Sequence, residues 1–405
     1  MRWIKFAWLN ILRNRRRSLL TIMISAVATT ALLSTAGFGL YTYQSLEEMS
    51  AREVGNITLS TPGYFEAEED YPLELGMTDH ESIQKQYLKD DDIRAVLPKV
   101  DFNGLISNGD KSSIFIGTGV DVKEFLIKGP ILEIVEGQTL SGKPDPSEDP
   151  EIMLAEGLAR NMKVGLGDIV TLLSTTVDGV LNAMDFEVKG IFRTGVPEMD
   201  KRLLYTTIDA SQSLLDSDKV SSVSIFLYDH DLTLGKWKKV QSEQTELEVN
   251  PWWERAFYYE KVKNLYDNIF GMLGSVIAIM VFLAISNTMA ITVVERTREI
   301  GTLAAMGSYR KEIVRNFTYE GMLMGLLGSL IGVVLTLGIC IFTIVVEINM
   351  PPPPGSTMEY PVFVNFSPEL ATATVFALTF ICTAAAWIIA RKGAKKPIVE
   401  ALSHV

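Results

Sequence analysis

Few residues of this 405-residue chain have the types and spacing that enzymatic chemistry requires. Its three histidines, His80, His230 and His404, are scattered and lack the ligand spacing of a zinc site. There is no Gly-x-Ser-x-Gly elbow, no His-Glu-x-x-His motif and no Gly-x-x-x-x-Gly-Lys-[Ser/Thr] loop to cradle nucleotide phosphates. We therefore predict no catalytic residue and no metal or nucleotide site in the chain itself.

The most informative motif is instead a charged segment at residues 293–313. Acidic and basic side chains follow a long apolar run, and the next apolar residues recur at helical spacing as Ile300, Leu303 and Met306. Gly301 and Gly307 permit close approach of another segment or a reversal of the chain. The pattern predicts a short amphipathic helix that could insert into a groove on a partner protein. The alternative is an ordinary positively charged loop.

The composition indicates which elements must position this segment. Hydrophobic residues make up 47% of the chain and charged residues only 21%, and the charge is unevenly distributed. Residues 44–263 hold 40 acidic against 22 basic side chains, whereas the remainder is net positive. This split excludes a nucleic-acid-binding protein with a basic groove along the whole chain, and it excludes a simple soluble enzyme. A membrane protein with one large acidic domain remains.

Four uncharged or nearly uncharged segments are long enough to cross a hydrocarbon core, which takes about 20 helical residues. They are residues 19–41, 269–294, 322–348 and 370–390. Lys and Arg collect before the first segment, between the second and third, and after the fourth, so we predict that both termini and the 295–321 loop are cytoplasmic. Residues 1–18 are predicted to form an amphipathic interfacial helix, and residues 391–405 a cytoplasmic tail.

The predicted fold class follows from this layout. It is an α-helical membrane protein with four transmembrane helices, one plus three, and a large α+β domain at residues 42–268 between helices 1 and 2. Within that domain, alternating or β-branched runs predict strands at 113–116, 169–173, 186–192, 203–206 and 220–227, and helices are expected at 156–161, 210–215 and 234–244. The proline-rich stretch 143–150 is predicted to be a loop at which two subdomains divide. Residues 260–268 are predicted to continue the second transmembrane helix.

Two further features concern packing and access to the membrane. Small residues at four-residue spacing in the third span predict close helix packing, either at a dimer seam or within one subunit; they are Gly321, Gly325, Gly328 and Gly332.

The 349–369 loop contains a stiff polyproline run that could shape lateral access for a lipid-linked substrate or simply form a rigid turn; its prolines are Pro351, Pro352, Pro353 and Pro354. An aromatic group at 252–259 is expected to lie at the membrane interface, with a substrate-binding surface as the alternative.

The segment 295–307 resembles the signature E-R-x-x-E-I-G-x-L-x-A-x-G of the FtsX-like permeases, the membrane subunits of MacB-type (type VII) ABC transporters. The N-terminal Ala7-Trp-Leu-Asn-Ile-Leu-Arg-Asn-Arg-Arg-Arg-Ser18 is similar to the family's N-terminal motif. The stretch from Leu154 to Asp168 resembles a recurring part of its periplasmic core domain. Together with the one-plus-three layout, the resemblance covers nearly the whole chain.

The resemblance implies a role for the signature residues. They are expected to contact a separate cytoplasmic ATPase, two copies of which would bind ATP and Mg and pair with two permeases, the second being another copy of this chain or a paralogue. Movement of the ATPase pair would then be transmitted through the second span to the periplasmic domain. The expected contact residues are Glu295, Arg296, Glu299, Ile300, Gly301, Leu303, Ala305 and Gly307.

The resemblance places the protein in a bacterial inner membrane but leaves the substrate open. Our first expectation is extraction of lipoprotein or lipid from that membrane, with membrane lipid and a periplasmic chaperone as partners. Export of drugs or peptides through an adaptor and an outer-membrane channel is the second. A non-transporting protein that regulates a periplasmic cell-wall hydrolase is the third. No nucleic-acid partner is expected.

Overall fold

The computed structural model describes residues 2–13, 15–66, 72–128, 132–142, 149–346, 348–350 and 360–394. Two compact units are present: Ser45–Lys261 belongs to one, and Met1–Gln44, Val262–Met350 and Pro361–Val405 belong to the other. The helices are α1 (Arg2–Arg13), α2 (Arg15–Val54), α3 (His80–Tyr87), α4 (Lys123–Lys128), α5 (Glu156–Met162), α6 (Pro197–Asp200), α7 (Ile208–Leu215), α8 (Thr233–Glu243), α9 (Trp252–Arg255), α10 (Phe257–Glu295), α11 (Thr297–Ala305), α12 (Arg310–Val345) and α13 (Pro368–Gly393). The strands are β1 (Ile57–Ser60), β2 (Ile93–Ser107), β3 (Ser112–Val120), β4 (Glu133–Gly137), β5 (Glu151–Ala155), β6 (Ile169–Thr175), β7 (Leu181–Arg193), β8 (Leu203–Thr207), β9 (Ser222–Leu227), β10 (Glu248–Pro251), β11 (Asn349–Met350) and β12 (Tyr360–Pro361).

Within the described part of the chain, four helices are long and apolar enough to cross a membrane: Ser18–Val54, Tyr259–Glu295, Arg310–Val345 and Pro368–Gly393. The one-plus-three layout is therefore confirmed, as is the continuation of the second span through residues 260–268. The helices are longer than the predicted apolar spans, because backbone hydrogen bonding continues into polar residues that hydropathy does not detect. Helix α2 extends to Val54, and α12 already begins at Arg310, so the predicted 295–321 loop is mostly helical. The predicted N-terminal helix also ends earlier, at Arg13.

Two glycines of α12 bring it against α13 of the same chain. A Cβ added at Gly325 would lie 2.6 Å from Cβ and 2.8 Å from Sγ of Cys382, and one at Gly321 would meet Ala386 and the carbonyl oxygen of Cys382. The absence of a side chain at these positions therefore sets the close approach of the two helices.

The other two glycines of this stripe bring α12 against α2. An added Cβ would lie 2.5 Å from Cβ of Ser25 at Gly328 and 2.5 Å from Cβ of Thr29 at Gly332. Thr30 adds a hydrogen bond from its hydroxyl to the carbonyl oxygen of Gly332, at 3.2 Å. Of the two alternatives for the glycine stripe, the structure thus shows packing within one subunit.

Ten strands of the Ser45–Lys261 unit form one sheet in the order β10-β1-β9-β2-β3-β8-β5-β7-β4, and β6 pairs with both β2 and β7. Strands β3 and β8 are parallel, as are β5 and β7, and the other pairs are antiparallel. The sheet buries a core that includes Ile106, Phe115, Leu154 and Phe186. All five predicted strands and all three predicted helices are confirmed within a few residues of their ends.

The sheet does not divide at residues 143–150, where a subdomain boundary is predicted. Strand β3, which precedes this stretch, pairs in parallel with β8, which follows it. The prolines and polar residues of this stretch offer little to bury, but strands that precede and follow it in the sequence still pair in one sheet. Residues 143–148 themselves lie outside the described part of the chain.

Trp252, Trp253 and Tyr259 of the aromatic group at 252–259 belong to a packing cluster, and the side chains of Phe257 and Tyr258 lie outside the described residues. Trp252 and Tyr259 are buried, with their rings edge to face at 4.7 Å between centroids. The hydroxyl of Tyr259 donates to Glu47 Oε1 at 2.7 Å. The prediction of an interfacial belt is therefore wrong for these two residues, because an amphipathic aromatic ring is equally suited to a core when its polar atom has a partner.

Candidate coupling site

Helix α11 is the short amphipathic helix that the sequence predicts, and its ends are defined by backbone features. It begins directly after α10, with the N–H of Arg296 bonded to the carbonyl oxygen of Thr292 at 3.2 Å. It is followed by Gly307 with φ of +93°, a left-handed conformation that favours glycine. The side chain of Glu312 then accepts a hydrogen bond from the backbone N–H of Tyr309 at 3.3 Å, at the start of α12.

The apolar face of α11 is anchored on the ends of three long helices. Ile300 is 7% exposed and belongs to a buried cluster with Val293 of α10, Ile313 and Phe317 of α12, and Ala390 of α13. Burial of such side chains stabilises a short helix that would be marginal in isolation. The position of α11 is therefore set by all three helices together.

Beneath α11 lies a buried ion pair. The Nη1 group of Arg296 donates to Glu320 Oε2 at 3.0 Å, and the two side chains are only 10% and 3% exposed. The Nε group of Arg296 donates to Glu299 Oε2, also at 3.0 Å, and its guanidinium lies 5.2 Å from the ring centroid of Phe317. One cation thus connects the start of α11 to the third turn of α12.

The cluster continues to the N-terminal helix. Arg13 of α1 forms an ion pair with Glu299, whose side chain is 49% exposed. Burial alone would raise the pKa of the Glu299 carboxyl, but the hydrogen bonds and positive charges of Arg296 and Arg13 outweigh it and lower that pKa. Glu299 is therefore an anion throughout the neutral pH range.

A cleft of about 350 Å³ opens beside these charges. Asn10, Arg13, Glu299 and Met306 are among the residues that line it. Asn316 also lines it, and its buried Oδ1 has no hydrogen-bond partner within the described part of the chain. The cleft is open, charged and next to α11, so it is suited to contact with another protein rather than to enclosed catalysis.

The structure divides the predicted coupling residues into two groups. Buried residues cannot contact a partner directly, and these are Arg296, Ile300 and Gly301. Exposed residues form the accessible surface, and these are Glu295, Glu299, Ala305 and Gly307. The side chain of Leu303 and all of Pro351, Pro352, Pro353 and Pro354 lie outside the described residues.

Sequence reasoning missed two members of the site, Arg13 and Glu320. Neither is close in sequence to the signature, so local spacing could not reveal their contacts. The available signal for Glu320 is a carboxylate at the edge of an apolar span, since a buried charge is costly unless it is paired. Met306 and Tyr309 are 71% and 77% exposed, which makes them further accessible residues.

Two family models match this chain. A model of the FtsX-like permease C-terminal region matches residues 271–398, and a model of the MacB-like periplasmic core domain matches residues 18–232. The lipoprotein-releasing system transmembrane protein LolC of Xylella fastidiosa is 25% identical over 347 residues, which cover 80% of this chain and 79% of LolC.

Of two other relatives, one is longer than this chain and one is of similar length. The macrolide export ATP-binding/permease protein MacB of Agrobacterium fabrum is 25% identical over 419 residues, which cover 99% of this chain and 60% of that protein. The ABC transporter permease YtrF of Bacillus subtilis is 24% identical, with 83% of each chain covered. Among solved structures, the periplasmic region of MacB from Actinobacillus actinomycetemcomitans matches 54% of this chain and 96% of its own, with 16% identity and a TM-score of 0.37.

Four candidate membrane helices among the described residues, an inserted α/β domain and the matches to family models and sequence relatives define an ABC transporter permease, a multi-pass protein of the inner membrane. More narrowly, the chain belongs to the FtsX-like permease family and carries a MacB-like periplasmic core domain. Membership of this family implies a cytoplasmic ATPase as partner.

Proposed function

We propose that the protein is the permease subunit of a transporter whose ATP hydrolysis occurs on a separate ATPase, and that it extracts lipoprotein or lipid from the inner membrane. The observation that carries the choice of substrate is the likeness to LolC, which extends over 80% of this chain and 79% of that relative. In this proposal, two copies of the ATPase pair with two permeases, and both termini are cytoplasmic.

The exposed surface of α11 is the proposed ATPase contact. It presents Glu299 and Ala305 on α11 and Met306 and Gly307 in the turn that follows, whereas the buried residues of the signature support the helix from beneath. A helix with one exposed face, and an opposite face that is buried and held by an ion pair, fits the helix-in-groove mode of protein recognition. The charged cleft beside it adds a surface for polar contacts.

Transmission of movement is the second step of the proposal. Helix α10 runs unbroken for 39 residues, which corresponds to about 58 Å at 1.5 Å per residue. ATP shifts the equilibrium between two states only through its differential affinity for them. We therefore expect ATP-bound and nucleotide-free ATPase to favour different positions of α11 and hence of α10.

Met306→Asp tests the contact, because this side chain is exposed and its replacement leaves the buried contacts of α11 intact. The variant is co-expressed with the ABC ATPase that co-purifies with the tagged wild-type chain, and complex formation and ATP-dependent release of a diacylated lipoprotein from proteoliposomes are measured. We expect at least a tenfold loss of both. Leu88→Asp, at a 54% exposed position in α3's C-terminal turn, is the matched control and should behave as the wild type. Unchanged complex formation by Met306→Asp would contradict the assigned contact.

Export is the second candidate, favoured by the 25% identity to MacB over 99% of this chain. The same proteoliposomes distinguish the two, with a macrolide in place of the lipoprotein. ATP-dependent macrolide transport without lipoprotein release would replace extraction by export as the assigned function.

A further inference from the structure

We propose that a basic cavity between the ends of α12 and α13 binds the headgroup of an anionic phospholipid. The cavity has a volume of about 670 Å³ and lies apart from the coupling cleft. Its cationic and aromatic lining residues are Arg310, Lys311, Arg315, Tyr319, Trp387 and Arg391. This site does not depend on which substrate the transporter moves.

The charge of the cavity selects an anion. Four of its nine lining residues are Arg or Lys, and none of the nine is a carboxylate. Guanidinium groups bind phosphate oxygens in a bidentate manner, and basic cavities between transmembrane helices are suited to lipid phosphates. Arg391 is held beside an aromatic ring, with its guanidinium 5.3 Å from the ring centroid of Trp387.

The level of the cavity along the helices points to a lipid rather than a free anion. It occupies the first turns of α12, where the helix changes from charged to apolar, and the last turns of α13. Tyr319 and Trp387 are the kind of aromatic residue that lies at a membrane interface. A phosphate bound there would be at the depth of the headgroups.

An exposed apolar stripe continues from the cavity along α13. Phe376, Phe380 and Trp387 are 76%, 72% and 45% exposed, and their spacing with Arg391 of four, seven and four residues places them on one face. A phosphate at the basic end would therefore have its acyl chains beside this aromatic stripe. A free phosphate would make no use of the stripe, and a soluble protein partner could not reach it within the hydrocarbon.

Binding is measured by native mass spectrometry of the full chain in a mild detergent, titrated with phosphatidylglycerol, phosphatidylcholine or inorganic phosphate. The test variant is the double substitution Arg310→Gln with Arg391→Gln. A basic residue in contact with an anionic lipid contributes about fivefold to its binding, so the loss of two lining arginines should lower phosphatidylglycerol affinity about 30-fold. Lys392→Gln removes an exposed charge beside the cavity but not in its lining, and it should retain the wild-type affinity.

If the double variant does not fold, Arg391→Gln alone should still weaken binding about fivefold. The proposal is overturned if the double variant and Lys392→Gln bind phosphatidylglycerol equally, or if phosphatidylcholine binds as tightly as phosphatidylglycerol. It is also overturned if inorganic phosphate competes at the affinity of the lipid, because the cavity would then be a site for a free anion.

Discussion

Replacing Arg296 with methionine is expected to release α11 from the helices beneath it. Arg296 donates to Glu320 at 3.0 Å in a site where the carboxylate is 3% exposed. Removing one member of a buried pair leaves an uncompensated charge and costs about 3–5 kcal/mol. Because the pair connects the start of α11 to α12, we expect this cost to appear as local opening of α11.

Hydrogen–deuterium exchange of the full chain measures this opening directly. A loss of about 3 kcal/mol corresponds to about a 150-fold rise in the exchange of amides in residues 297–305. Arg298→Met is the matched control, because Arg298 is exposed on the same helix and its loss should change exchange little.

The double variant Arg296→Met with Glu320→Met should recover most of the lost protection. Replacing both members of a buried ion pair by apolar side chains of similar volume is often neutral or stabilising. The two substitutions should therefore be strongly non-additive, by about 2 kcal/mol or more. Additive effects, or equal exchange in Arg296→Met and Arg298→Met, would refute the argument that the pair holds α11.

Two further predictions concern stability. Gly325→Ala should destabilise the chain by about 1–3 kcal/mol, because the added Cβ would lie 2.6 Å from Cβ of Cys382, whereas Gly338→Ala on the same helix meets nothing within 4 Å and should be nearly neutral in thermal unfolding. The hydrogen bond from Lys236, whose Nζ lies 2.7 Å from both carboxylate oxygens of Asp90, lowers the pKa of Asp90. Its stabilising contribution is present above the ordinary aspartate pKa of about 3.9 and is lost as the pH falls through the lowered value. Lys236→Gln should therefore reduce the loss of thermal stability on acidification, and an unchanged acid profile would contradict this assignment.

The sequence predicts the membrane layout well, because a span needs a long apolar run and such runs are rare by chance. It also predicts α11, since helical spacing of Ile300 and its neighbours is a local pattern. The extent of the helices is less predictable, because α2 and α12 continue through polar residues that hydropathy does not register.

Non-local partners account for what sequence reasoning missed. Glu320 is 24 residues from Arg296, and Arg13 is 286 residues from Glu299, so only the folded helices bring them together. The same holds for the order of the sheet, in which β3 pairs with β8 across a long intervening segment. The 15-residue strand β2 was also missed, because proline and glycine interrupt its alternation at Pro98 and Gly104.

Both ends of α11 are fixed, and this determines how a displacement of the helix reaches its neighbours. Its start is held by the Arg296 pair, and its end turns at Gly307 directly into α12. We therefore expect a partner bound at Met306 or Tyr309, just after α11, to displace the helix as a unit. Because α11 contacts both neighbours, we expect a partner that displaces it to move the ends of α10 and α12 together.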